Sequence, residues 1–212
     1  MNTGRALLPG LAVVAAFMLA GCGGLVRDAP APAIYRLFAP GLAPGAPLAA
    51  QLRVDRPVAA AGLGGDRIAT LWPGGRIDYY RGALWGDELP RVVEGALVEA
   101  LARNGRMQVV QGDRAPFAPT HVLHVDIRRF EADYSAGSPP VVRIALGATV
   151  GLAADRRALA AFEAAAEARA AADTQTAVMS AFNDAFGRAT VDLCARLQDA
   201  IQRPPGPPRP AE

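Results

Sequence analysis

Two runs in which apolar residues recur at every second position, at 120–130 and 141–152, restrict the fold more than anything else in this sequence. In THVLHVDIRRF, Leu123, Val125 and Ile127 share one face. In residues 141–152, Val142, Ile144, Leu146, Ala148, Val150 and Leu152 share one face, with Arg143 and Thr149 opposite. Successive side chains of a strand point to opposite sides, so each run reads as a strand with one buried face. The YSAGSPP segment between them carries turn residues, and the pair is therefore expected as an antiparallel hairpin lying on a core.

That core needs helices to close it, and the sequence supplies two. The first starts near Asp87 to Pro90, where Asp can cap and Pro is tolerated in the first turn. Its stripe is Leu89, Val93, Leu97 and Leu101, flanked by Val92, Ala96 and Ala100, and Asn104 and Gly105 end it. The second runs from Asp173 or Thr174 to Ile201 along Val178, Phe182, Phe186, Ala189, Leu193 and Leu197. Further strands are expected at 34–38, 51–58 and 107–110, with a hairpin over 67–80 that turns at Pro73, Gly74 and Gly75. The fold class is α+β: a single mostly antiparallel sheet with two main helices packed on one face. Residues 157–172 (RALAAFEAAAEARAAA) pull two ways, toward helix by alanine propensity and toward strand by their place in the pattern.

The amino terminus follows a different logic. Arg5 precedes an uncharged run from Leu11 to Ala20, too short against the ~20 residues that a membrane-spanning helix needs. It reads as a secretory signal peptide over 1–21. Leu19, Ala20, Gly21 and Cys22 resemble the bacterial lipobox, in which the cysteine sulfur receives diacylglycerol and signal peptidase II cuts before it. A further N-acyl chain on Cys22 would make the anchor stable, because one chain alone binds a bilayer only marginally. Gly23 occupies the place where Asp commonly retains enteric lipoproteins at the inner membrane, so the outer membrane, periplasmic face, is the expected location. Residues 22–33 read as a flexible tether, 34–202 as the folded domain and 203–212 (RPPGPPRPAE) as a disordered Pro-rich tail.

Composition excludes more than it assigns. All 22 basic residues are Arg, set against 20 acidic residues and scattered along the chain, so no basic patch suggests nucleic acid as a partner. With Cys22 acylated, Cys194 has no disulfide partner and reads as a small apolar residue on a helix face. The Gly-rich AAAGLGGDR segment lacks the Lys and Ser/Thr of a phosphate loop. In HVLH, His121 and His124 point to opposite faces of a strand and cannot grip one ion. His124, Asp126 and Arg128 share a face, which reads as a polar sheet surface; a periplasmic hydrolase built on His124 and Asp126 is the minor alternative. No catalytic, metal or cofactor residue is assigned. Aromatic residues stand out instead. Both tryptophans, Trp72 and Trp85, and two of the four tyrosines, Tyr79 and Tyr80, fall within fourteen residues. They are candidates for a partner or oligomer interface, where Trp and Tyr are enriched, and equally for core.

With these pieces in order, the chain resembles the ABC-type transport auxiliary lipoprotein family, the PqiC-like group. The resemblance runs from IYRL at 34–37 through RIATLWPGGRIDYYRGALWGDELPRVVEGALVEALARNGRMQVV and HVLHVDIRRFEADY to the closing RRALAAFEAAAEARAAADTQTAVMSAFNDAFGRATVDL. It implies that 157–167 is a strand. It also implies partnership with an MCE-domain periplasmic protein and its ABC or inner-membrane complex, in moving lipids between membranes, and an oligomeric ring. The alternative of the same general design is an outer-membrane lipoprotein that assists lipopolysaccharide insertion.

Overall fold

Strand β7 (His121–Asp133) organises the molecule. The computed structural model describes residues 31–203. The signal peptide at 1–21, the Leu19-Ala20-Gly21-Cys22 motif, the tether as far as residue 30 and the tail from 204 lie outside the described residues.

Nine strands and two helices occur among the described residues. On one side of β7 lie β8 (Val141–Leu152) and then β9 (Ala158–Arg169), an antiparallel meander with the hairpin expected from the alternation. The other side of β7 is shared lengthwise. Strand β2 (Leu48–Val54) pairs with its His121 end, β3 (Val58–Ala59) with its middle and β4 (Arg67–Trp72) with its Asp133 end, all parallel to it. Beyond β2 lies β6 (Met107–Gly112), also parallel, and beyond β4 lie β5 (Arg76–Trp85), antiparallel, and β1 (Ala33–Tyr35), parallel to β5. The sheet is thus mixed where a mostly antiparallel one was expected. Short segments joined through crossovers pair in parallel, and strand alternation alone does not reveal which strands those crossovers bring together.

Helix α1 (Leu89–Asn104) packs on β6 and β2, and helix α2 (Gln175–Gln202) on β8 and β9. Gly105 ends α1 in the left-handed conformation at φ 69°, as its place in the sequence suggests. Asp87 is not the cap of α1: Glu88 is, and the Asp87 carboxylate instead accepts from the Glu88 N–H at 2.7 Å. Thr174 caps α2, accepting from the Ala177 N–H at 3.3 Å. The carboxyl-terminal ends of the helices are tied together by Gln198, which donates to the Asn104 side chain at 3.0 Å and accepts from Arg106. Between them the segment after β1 crosses as a strap. The Phe38 N–H donates to Asn183 at 2.9 Å, and Arg103 and Asn104 donate to the carbonyls of Ala39 and Ala43 at 2.8 and 2.9 Å.

Beneath the helices an aromatic cluster lies in the core. The Phe182 ring stacks on Phe130 at 5.6 Å and meets Trp85 edge-on at 5.4 Å, and Phe186 lies 6.2 Å from Phe130. Burying a Phe side chain fully stabilises by about 1.5–3 kcal/mol, and a favourable ring pair adds about 0.5–1.5.

The conflict over 157–172 is settled as strand, which is what the family resemblance implied. On the inner face of β9, Ala164 and Ala168 are buried against α2, where small side chains let the helix come close. On the outer face, Glu163 pairs with Arg128 at 2.6 Å and Glu167 with Arg143. Gly147 lies between β7 and β9, and the Arg128 guanidinium passes over it: a Cβ there would meet Nε at 2.7 Å. Alanine's preference for helix, a few tenths of a kcal/mol per residue over most alternatives, is outweighed by a twelve-residue ladder with one face buried.

Candidate functional site

The aromatic cluster picked out in the sequence divides when the chain folds. Trp85 is only 3% exposed and belongs to the core with Phe130 and Phe182. As a contact residue it is corrected here, because it has no surface to offer a partner. Trp72, Tyr79 and Tyr80 are half-buried on the β4–β5 hairpin. Adjacent tyrosines on a strand point to opposite faces, and these do. The Tyr79 hydroxyl donates to the Gly62 carbonyl at 3.1 Å, with the Arg67 guanidinium 3.7 Å above its ring. Tyr80 turns the other way, toward Tyr134.

Tyr134 is the hub that the sequence did not single out. It lies one residue past β7, where its N–H donates to the Leu71 carbonyl at 2.7 Å and fixes the ring beside the hairpin. Trp72 stacks on it at 4.7 Å with the planes 6° apart, and the indole N–H donates to Thr70 at 3.0 Å. The Tyr134 hydroxyl donates to Asp173 at 2.7 Å, which leaves its oxygen to accept from the Tyr80 hydroxyl at 2.5 Å. Ser138 donates to the other Asp173 oxygen at 2.8 Å. Three connections meet here: the β4–β5 hairpin, the β7–β8 turn and the β9–α2 junction. Their only common feature in the sequence is a position next to a strand or helix end, so no local signal could have grouped them.

The electrostatics follow from these contacts. The Tyr134 and Ser138 hydroxyls hold the Asp173 carboxyl below its ordinary value of 3.8, so it is anionic at neutral pH. Burial, and then the proximity of Tyr80 and Asp173, pushes the Tyr134 phenol above its ordinary value; burial does the same for Tyr80. Asp78, beside them, is held low by the Tyr79 N–H and by Arg76, which lies 3.0 Å away. Together Thr70, Trp72, Asp78, Tyr79, Tyr80, Arg81, Tyr134 and Asp173 line a hollow of about 180 Å³.

A larger cleft, about 1060 Å³, opens at the His121 end between the β8–β9 turn and the segment before β7. It contains His124, but the imidazole lies 3.1 Å from Asp55, which Arg53 also contacts at 2.7 Å, rather than engaging Asp126. The acid–base pair imagined for a hydrolase is therefore not the pair that forms. Among the described residues no three His, Cys, Asp or Glu side chains are placed to hold a metal. Burial pushes the Cys194 thiol up to about 12, as suits a core residue.

Comparison with known proteins places this architecture. A crystal structure of protein XCC0632 from Xanthomonas campestris, assigned to DUF330, is 27% identical and superposes with a TM-score of 0.74 over 80% of this chain and 97% of that one. A second crystal structure, of an uncharacterized protein, is 15% identical with a TM-score of 0.62 over 79% of this chain and 99% of the other, and shares the fold. Among curated proteins none matches. The family described as "ABC-type transport auxiliary lipoprotein component" matches residues 35–193, from the end of β1 to Leu193 within α2. The chain belongs to the ABC-type transport auxiliary lipoprotein family.

Proposed function

We propose that this protein is a non-catalytic lipoprotein anchored through Cys22 on the periplasmic face of the outer membrane. There it serves an ABC/MCE-type system that carries lipids between membranes. Family membership over residues 35–193, downstream of a Leu-Ala-Gly-Cys motif at 19–22, is the observation that carries this reading. Leu19, Ala20 and Gly21 present the cut site, Cys22 takes the diacylglycerol and the N-acyl chain, and no other cofactor is invoked. No described helix is long and apolar enough to cross a membrane.

The partners are an MCE-domain periplasmic protein, with its ABC or inner-membrane complex, and further copies of the chain itself. The exposed parts of Trp72, Tyr79 and Tyr80 are the contact surface, meeting a partner protein, a second copy or the bilayer. Affinity capture of the acylated protein from native membranes should recover the MCE-domain protein. Capture that returns none, from membranes shown to contain it, refutes the transport assignment. Mass spectrometry of the amino-terminal peptide should find Cys22 with three acyl chains, and release of a Cys22→Ser variant from the envelope checks the anchor separately.

A further inference from the structure

Two independent features meet at the Asp133 end of the sheet. The first is direction. Strand β5 leads away from the hairpin turn at Pro73–Gly75, and β1 runs parallel to it, with Ala33 beside Ala83 and Tyr35 beside Trp85. Pro32 therefore precedes Ala33 on the side of the Asp133 end, and a pull on the amino terminus acts along β1 toward that end. Cys22 lies ten residues before Pro32, a reach of at most about 36 Å.

The second feature is chemistry. The hollow at this end has the partly exposed rings of Trp72 and Tyr80 over the buried Tyr134, and rings with one polar edge settle at the boundary between headgroups and acyl chains. Ile77, on the same hairpin, is 46% exposed. Three charges line the hollow: Asp78, which is paired with Arg76, the Asp173 carboxylate, engaged only by hydroxyls, and Arg81. Neither Asp173 nor Arg81 has an ion-pair partner among the described residues. Aromatic rings backed by a carboxylate favour an ammonium group, and a free guanidinium favours a phosphate. A zwitterionic phospholipid headgroup carries both.

We propose that the Asp133 end of the sheet rests on the headgroup layer, with its aromatic hollow taking the ammonium of a zwitterionic phospholipid and Arg81 facing that lipid's phosphate. This rests on the acylation of Cys22 proposed above. The β8–β9 turn and the cleft at the His121 end then face away from the bilayer, toward whatever partner the domain presents them to.

The test uses the full-length acylated protein in vesicles of phosphatidylethanolamine and phosphatidylglycerol. A fluorophore is placed on Ile77→Cys, or on Ala154→Cys in the exposed β8–β9 turn. Cys194 is buried and Cys22 is blocked by its thioether, so the label goes to the introduced thiol. A nitroxide on lipid headgroups should quench the label at 77 several-fold more than the label at 154. Asp173→Asn should abolish any difference at 77 between these vesicles and pure phosphatidylglycerol, with an unchanged circular dichroism spectrum. Equal quenching at both positions, in protein whose acylation is verified by mass spectrometry, overturns this inference and leaves the anchor standing. Quenching at 77 that ignores both the headgroup and Asp173 overturns the ammonium assignment. An unacylated amino-terminal peptide overturns the anchor and this inference together.

Discussion

Replacing Ala164 by isoleucine tests why an alanine-rich segment is a strand at all. Ala164 is 0% exposed, sits opposite Leu146 in the β8–β9 ladder and belongs to the face of β9 that meets α2. Three added carbons have no space there, and overpacking of that kind costs about 1–3 kcal/mol. Its neighbour Ala165 is exposed on the other face, opposite Ala145. Isoleucine at that position adds only β-propensity, on a scale spanning about 1 kcal/mol. The two variants should therefore differ by about 1–4 kcal/mol, with Ala164→Ile the less stable. For a domain of this size that corresponds to a spread in Tm of roughly 2–4 °C per kcal/mol. Urea unfolding of the purified chain, followed by near-ultraviolet ellipticity, measures both. Equal stabilities, or a more stable Ala164→Ile, would refute the claim that alanine is retained to let α2 approach.

The hydroxyl hub makes its own predictions. Tyr134→Phe strands the Tyr80 hydroxyl and removes a donor from Asp173, at about 1–2 kcal/mol in the same unfolding assay. Because the folded Asp173 pKa lies below its ordinary value of 3.8, its contribution is fully present above that value and is lost as pH falls through the folded pKa. A stability profile below pH ~4 should accordingly be shallower in Tyr134→Phe than in the parent, and identical slopes would contradict the assignment. Cys194, buried with its thiol pushed up to about 12, should stay unreactive to a thiol reagent in the native protein and react on unfolding. Gly105→Ala forces a side chain into a φ of 69° and should lower stability by about 1 kcal/mol, read from the shift in urea midpoint.

Period and punctuation made several elements legible before any coordinates. The alternation in 120–130 and 141–152 defines β7 and β8 because a half-buried strand must alternate. The Phe182, Phe186 and Leu193 stripe defines α2 because a helix on a sheet must carry one apolar face, and Pro73-Gly74-Gly75 and Gly105 mark chain reversals that few other residues permit. Beyond the amino terminus, where the Leu19-Ala20-Gly21-Cys22 motif is entirely local, the limits of the sequence appear wherever a property depends on which segments meet. The five parallel pairings around β7 and β5, and the sharing of one edge of β7 by β2, β3 and β4, are long-range choices that no window of sequence encodes. Trp85 and Trp72 read alike in the chain, yet one is core and the other surface, since the sheet's curl and the position of Phe182 decide which ring is covered. Asp173 joins Tyr134 across 39 positions and His124 joins Asp55 at the end of the neighbouring strand, so the partners of the polar groups became known only from the fold. Local periodicity records which face of an element is buried; only tertiary packing decides what lies against it.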